Sequence, residues 1–241
     1  MTDPRTLIPR PDQPLPTGDA KTASVQAMFD VIAPRYDMVN RVMTFRMDVG
    51  WRRRTVSALG LAPGSVVVDL ACGTGDLARD LAGRHLVPLG ADLSHGMLAA
   101  APVPFPRVQC DGAALPFPDA AVDGATCGFA LRNFTDLQAT LDELARVTRD
   151  RGRLAVVEVA EPPHPVLRLG HSVYFGKVVP VIGGLLSDGS AYRYLPRSVA
   201  YLPEWPELQA MVERAGFDDV RRTLLSGGIA QLITATRVVR P

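Results

Sequence analysis

The stretch VVVDLACGTGDL, residues 66–77, constrains this chain more than any other. Three consecutive valines ahead of Asp69 and Leu70 read as a short strand buried on both faces, because a parallel strand covered by helices has no polar side to show. Gly73 and Gly75 then let the backbone turn sharply and approach a ligand closely, and Asp76 opens an apolar-periodic helix. Strand, glycine-rich loop and helix in that order predict the central unit of an open α/β sheet with a ligand at the strand's carboxyl end. The glycine pattern alone does not choose the ligand, since dinucleotides use the same turn. Asp69 does choose. A carboxylate beside the loop repels a pyrophosphate and suits a cationic ligand with a free amino group, such as a sulfonium nucleoside carrying an amino acid.

The rest of the chain alternates around this unit. Residues 1–21 place Pro4, Pro9, Pro11, Pro14 and Pro16 among polar residues, a composition expected to give a disordered leader. From 22 to 60 the pattern is helical, with Val25, Met28, Phe29 and Ile32 at helix spacing, a break at Ala33 and Pro34, and a helix from Trp51 stopped by Gly60. Helices that precede the first strand can cap the carboxyl edge of the sheet, where ligands bind. Further strands are expected over 85–93, 107–110, 122–127, 153–159, 216–225 and 228–239, with helices over 137–148 and 208–215. The crossover between the second and third strands holds three prolines and has room only for a short helix. Residues 161–203 break the alternation with an apolar run at 178–186 and an aromatic stretch at 191–196, either a substrate-side insertion or a core helix plus a surface loop. Residues 22–241 thus read as one α/β domain.

Polar residues at successive strand ends supply the candidate site. Asp92 ends the second strand, where a carboxylate can accept both hydroxyls of a ribose. Asp111 ends the third and can accept from an adenine amino group, with Gly112 offering its backbone N–H to the ring. Arg132 and Asn133, in the loop after the fourth strand and Gly128, are more polar than a turn requires and emerge beside the expected ligand. They are the lead catalytic pair.

Lys and Arg number 26 against 25 Asp and Glu, which leaves no electrostatic footprint for nucleic acid. Cys72, Cys110 and Cys127 are dispersed without metal-ligand spacing, as in a chain from a reducing compartment. There is neither an uninterrupted apolar run of about 18 residues nor an apolar signal-peptide core, so the expected location is the cytoplasm.

DLACGTGD resembles the first motif of class I S-adenosylmethionine (SAM) methyltransferases. With MFDVIAPRYDMVNRVMT, Trp51, ADLSHGML, FALRNFTD, ARVTRDRGRLAVVEV, AYRYLP and SGGIAQL in the same order, the chain from Met28 to Thr236 resembles the ubiquinone/menaquinone-biosynthesis C-methyltransferase family. The resemblance implies a Rossmann-like, seven-stranded, mostly parallel sheet whose last strand is antiparallel. It implies SAM as methyl donor and ring-carbon methylation of a polyprenylated quinol. It also places Thr74, Asp92, Asp111 and Gly112 at cofactor-contacting positions, beside Asp69, Gly73, Gly75 and Gly128. The chain departs from the family at three positions: Gly128 stands where Ser is frequent, and Asp48 and Ile233 stand where His is frequent.

Ring methylation needs the neighbouring hydroxyl deprotonated, and Arg132 with Asn133 can stabilise the phenolate. Arginine is a poor base, so a water or a carboxylate, with Asp111 nearest by position, is expected to take the proton. Demethylmenaquinol is the favoured acceptor; a ubiquinone precursor or another lipid or small molecule is the alternative. An NAD-dependent oxidoreductase is a poorer reading, since no Tyr-x-x-x-Lys pair follows the fourth strand. A binding protein that has lost turnover would not need Arg132 and Asn133. An apolar groove near residues 178–186 suggests peripheral contact with a membrane, while the basic run Arg52, Arg53 and Arg54 reads first as a solvated helix face, with contact to anionic headgroups as the alternative. Oligomeric state stays open.

Overall fold

The computed structural model describes residues 4–9, 13–186 and 197–239. Seven strands form one sheet in the order β3-β2-β1-β4-β5-β7-β6. They are β1 (Val66–Leu70), β2 (Val87–Asp92), β3 (Arg107–Gln109), β4 (Val122–Gly128), β5 (Thr148–Val159), β6 (Phe217–Leu225) and β7 (Ala230–Arg237). Strands β1 to β5 are parallel, and β7 pairs antiparallel with both β5 and β6, as the resemblance implied. The strand order reverses between β1 and β4, which opens a crevice at their carboxyl ends.

Each face of the sheet is covered by helices, which is why β1 is apolar on both sides. On one face, α3 (Met47–Leu59) and α4 (Asp76–Ala82) bury Trp51, Val56, Leu59, Leu77 and Leu81 against Val67, Ala155 and Val157. On the other, α6 (Leu137–Val147) and the late helix Trp205–Arg214 bury Leu141, Leu144, Leu208 and Val212 against Val68, Leu70, Leu154 and Ile233. Helix α3 ends where Gly60 adopts φ 63°, a left-handed cap that glycine accepts without strain. The short crossover helix is α5 (His95–Ala99), with Ser94 accepting from the Met97 N–H as its N-cap.

Three stretches depart from expectation. Helix α1 (Gly18–Ile32) begins inside the stretch expected to be a leader. Upstream, Ile8 is buried against Val25, Met28, Ile32 and Val39, so an apolar anchor orders part of a proline-rich segment. Strand β5 starts at Thr148, with a register irregularity against β4 before Arg153, so helix α6 gives way to strand earlier than Gly152. Most consequentially, 165–186 is a nearly continuous helix: α7 (Pro165–Val173), a π turn (Tyr174–Val178) and α8 (Val179–Leu186). Pro180 cannot donate to the carbonyl four residues back and its ring crowds that carbonyl, which accounts for the wider turn just before it. The aromatic stretch 191–196 lies outside the described residues.

Candidate active site at the carboxyl edge

The first cavity opens at the crevice between β1 and β4. Asp69, at the end of β1, is completely buried. Its Oδ1 accepts from Thr126 Oγ1 at 2.9 Å, while Oδ2 has no partner among the described residues. Burial pushes its carboxyl up to about 7, opposed by the Thr126 hydrogen bond and reinforced by nearby Asp92. A buried carboxylate facing a cavity with one oxygen unmet is a site built for a cation. Asp92 folds the loop as well as lining the cavity: Oδ2 accepts from the Gly73 N–H at 2.7 Å and Oδ1 from the Ser94 N–H at 2.8 Å. Burial raises it to about 6. Each oxygen keeps acceptor capacity for a diol.

The glycines divide their tasks. Gly73 lines the cavity at φ 54°, and a Cβ there would lie 2.9 Å from Met97 Cε. Gly75, at φ 83°, does not line it but turns the chain into α4 over the Phe105 ring, which a Cβ would meet at 2.4 Å. Gly128 lines the cavity, and the space a serine side chain would need is taken by Leu77, 2.9 Å from the Cβ position. Thr74 and Gly112 line it too. Thr74 Oγ1 donates to Asp37 Oδ1 at 2.5 Å. Cys72 lies in this loop, but burial pushes its thiol far up, so it has no nucleophilic character.

A second cavity, about 370 Å³ and mostly apolar, lies alongside. The two share Phe29, Tyr36, Asn40 and Phe129, which marks where they meet. Tyr36 and Asn40 belong to α2 (Tyr36–Met43), so the helical cap supplies three of the four junction residues. Arg132 and Asn133 sit on one 3₁₀ turn, whose successive residues point about 120° apart. The turn splits the pair, with Arg132 lining the apolar cavity and Asn133 the cofactor-side cavity. Arg132 is buried, donating to the Phe129 carbonyl at 2.8 Å, to Ser198 Oγ at 3.2 Å and to the fully buried Glu158. The apolar cavity also holds His171, whose Nε2 is buried without a hydrogen-bond partner among the described residues and whose pKa burial lowers.

Sequence reasoning missed Glu158 and His171. A lone carboxylate inside RLAVVEV carried a signal, because an acidic residue in a doubly covered strand needs a buried partner. Asp111 does not reach the apolar cavity's lining; it is exposed on the cofactor side, with Oδ1 accepting from the Ala113 N–H at 3.0 Å. Asp111, expected as the base, thus lies on the cofactor side, in the cavity that Arg132 does not line. Arg52 is also not available to a membrane, since it is buried among Asp48, Asp76 and Asp80. Arg53 and Arg54 are exposed.

The cap is bolted to the cofactor loops by charge-assisted hydrogen bonds. Asp30 accepts from Ser94 Oγ at 2.5 Å and from the Gly96 N–H at 2.8 Å, Lys21 Nζ donates to the Phe134 carbonyl at 2.7 Å, and Arg41 pairs with Asp76 at 3.2 Å.

The orphaned Asp69 oxygen, the diol-competent Asp92 and the glycine cradle fit the amino acid and ribose of SAM. Comparison with known proteins agrees. Residues 17–237 match the pattern of the ubiE/COQ5 methyltransferase family. The demethylmenaquinone methyltransferase of Thermus thermophilus is 45% identical, over 87% of this chain and all of that protein. The ubiquinone/menaquinone biosynthesis C-methyltransferase UbiE of Syntrophotalea carbinolica is 41% identical, over 87% of this chain and 92% of that protein. Among solved structures, a SAM-dependent methyltransferase from Thermotoga maritima superposes with a TM-score of 0.61 at 18% identity, covering 88% of this chain and 99% of that one. That last likeness speaks to the fold alone. A family pattern spanning nearly the whole chain and relatives this similar over almost their full length leave one assignment: the chain belongs to the ubiE/COQ5 methyltransferase family.

Proposed function

We propose that this protein uses SAM to methylate a ring carbon of a polyprenylated quinol, converting demethylmenaquinol to menaquinol, in the cytoplasm at the inner face of the membrane. The observation that carries the reading is the meeting of two unlike cavities. One presents an unmet buried carboxylate, the other is apolar and holds a buried guanidinium, and they join at Phe29, Tyr36, Asn40 and Phe129. The names of the relatives support the quinone as acceptor.

Bound in the first cavity, SAM supplies an electrophilic methyl group. Asp69 would hold its amino group, Asp92 its ribose hydroxyls, and Asp111 with Gly112 its adenine edge. The protein's largest contribution is positioning, because a well-oriented reacting pair is equivalent to an effective concentration of roughly 10⁵ to 10⁸ M. The junction residues would place the acceptor ring beside the methyl donor, and the apolar walls would exclude water. Arg132, fixed by Glu158, Ser198 and the Phe129 carbonyl, donates to the ring oxygen as it becomes negative. Asn133 lines the cofactor-side cavity, on the donor's side of the junction. Arg132 cannot accept the phenolic proton. His171 lines the same cavity, is kept neutral by burial and has an unmet ring nitrogen, which is the chemistry of a general base. Replacing His171 with Gln is expected to lower turnover about 100-fold or more at neutral pH while SAM affinity holds, with part of the loss recovered as pH rises and the acceptor ionises unaided. Unchanged turnover at every pH would remove His171 from the mechanism.

The direct test is incubation with methyl-labelled SAM and reduced demethylmenaquinone, beside a ubiquinone precursor, reading the mass and the ring position of the label. Label on the naphthoquinol ring carbon is the expected result. Label on the benzoquinol only would transfer the assignment to the ubiquinone precursor, and label on neither would defeat the acceptor.

A further inference from the structure

The helix that walls the acceptor cavity carries a second face that the described residues leave largely uncovered. Among the described residues, Pro165–Leu186 is the one helix long and apolar enough to cross a membrane, yet only about a tenth of its most apolar stretch is buried. Its large exposed side chains are patterned. Val166, Leu169 and Val173 follow one another at spacings of three and four, and so do Val178, Val181 and Leu185, with exposures from 38% at Val178 to 79% at Leu185. The step from the first triplet to the second, Val173 to Val178, is five residues. That is the repeat of a π turn, and a π turn is what lies between them at Tyr174–Val178. An uninterrupted α-helix would rotate the second triplet about 120° away from the first; absorbing one residue in the π turn leaves about 20°, which brings all six onto one face.

We propose that this face is an in-plane docking surface for an anionic lipid bilayer, seating the mouth of the acceptor cavity on the membrane. Three observations point to lipid. Residues 165–186 contain Arg168 and Lys177 but no Asp or Glu, and because Arg168 is paired with Glu161 at 3.6 Å, exposed Lys177 is the helix's cation for anionic headgroups. The opposite face lines the apolar cavity with Leu167, Gly170, His171, Tyr174, Phe175 and Val179, and Val166, 72% exposed, lines it as well at the start of the helix, so docking surface and cavity wall adjoin along one helix. Beside the π turn, Phe45 is 70% exposed and packs its ring 5.7 Å from Tyr174, with Arg46 exposed next to it, which extends the apolar surface and its basic rim. The helix does not span. Tyr174 donates to the Met43 carbonyl at 2.7 Å and Arg35 to the Leu186 carbonyl at 3.0 Å, which ties the helix along the cap instead of freeing it to be ringed by lipid.

The proposal deepens the quinol reading and rests on it only for its purpose: a tail held in the bilayer enters the cavity without crossing water. Its test needs no quinol. The full chain is expected to float with phosphatidylcholine vesicles containing phosphatidylglycerol, and less with phosphatidylcholine alone. Combined Leu169→Glu, Val181→Glu and Leu185→Glu substitutions, all outside the cavity lining, are expected to reduce flotation at least about tenfold. They should leave SAM affinity and methylation of a detergent-solubilised short-tailed acceptor unchanged. A separate Leu185→Trp variant, at the most exposed position, is expected to blue-shift its emission on adding anionic vesicles. A parent that stays soluble, a triple variant that floats as well as the parent, or a Leu185→Trp emission that does not move would each overturn the docking surface. Vesicle binding without turnover on any quinol would defeat the acceptor reading alone.

Discussion

Replacing Arg132 with alanine is expected to remove most turnover and to lower the melting temperature at the same time, because one guanidinium serves both the reaction and the core. Glu158 is completely buried, and its Oε2 already has no partner among the described residues. Without Arg132, the Glu158 charge keeps only the Val159 N–H at 2.8 Å. Leaving one half of a buried pair costs about 3–5 kcal/mol, or roughly 10 °C in a chain of this size. Losing a preorganised donor to a developing oxyanion costs about 10²–10³ in kcat. The two effects separate in an Arg132→Met, Glu158→Met double variant, which no longer buries a lone charge. Most of the stability should return, while turnover stays low at saturating acceptor and SAM binds as in the parent. A folded Arg132→Ala protein with full turnover would sink the assignment.

The cofactor side was legible because topology fixes it. In an open parallel sheet the ligand crevice lies at the carboxyl ends of strands, so locating β1 and β2 from their apolar runs, and β3 after the short proline-rich crossover, also located Asp69, Asp92 and Asp111. What stayed hidden depends on tertiary contact. Nothing in the spacing of the cap says that Asp30 reaches Ser94, 64 residues away, or that Asp37 reaches Thr74, 37 residues away. Arg132 and Asn133 look like a unit when written side by side, yet a 3₁₀ turn aims them into different cavities. The segment 161–203 was the least readable, because Pro180 and the glycines Gly170, Gly176, Gly183 and Gly184 speak against the long helix that most of it forms. Its apolar positions do not fit a 3.6-residue period until one residue is absorbed by the π turn, so a window set to an ordinary helix sees two unrelated patches.

Exchanging Asp69 for asparagine is expected to move cofactor affinity and apo stability in opposite directions. Asparagine has the same shape and can still accept from Thr126, but it brings an N–H₂ in place of the buried Oδ2 that has no partner among the described residues. Loss of a buried charge pair costs roughly 2–5 kcal/mol in binding, so the SAM dissociation constant should rise about 30-fold or more. The apo protein should gain. The Asp69 carboxyl stands at about 7 when folded, above its ordinary value of 3.8, chiefly because burial penalises the charge. Between those two values the folded state holds a proton that the unfolded chain has released. Stability therefore falls as pH rises through that window and levels off above it, by an amount on the order of 4 kcal/mol. Asp92, raised to about 6 by burial, adds a slope of the same sign that the variant keeps. Near pH 8 the Asp69→Asn protein should thus melt above the parent without SAM and below it in saturating SAM. Calorimetry across pH, with and without SAM, checks both signs. In the parent, SAM affinity should weaken about tenfold per pH unit below 7, because the ammonium needs the ionised carboxylate, and that dependence should be much flatter in the variant. An Asp69→Asn protein that binds SAM as tightly as the parent would mean that the buried carboxylate answers to something other than the amino group of the donor.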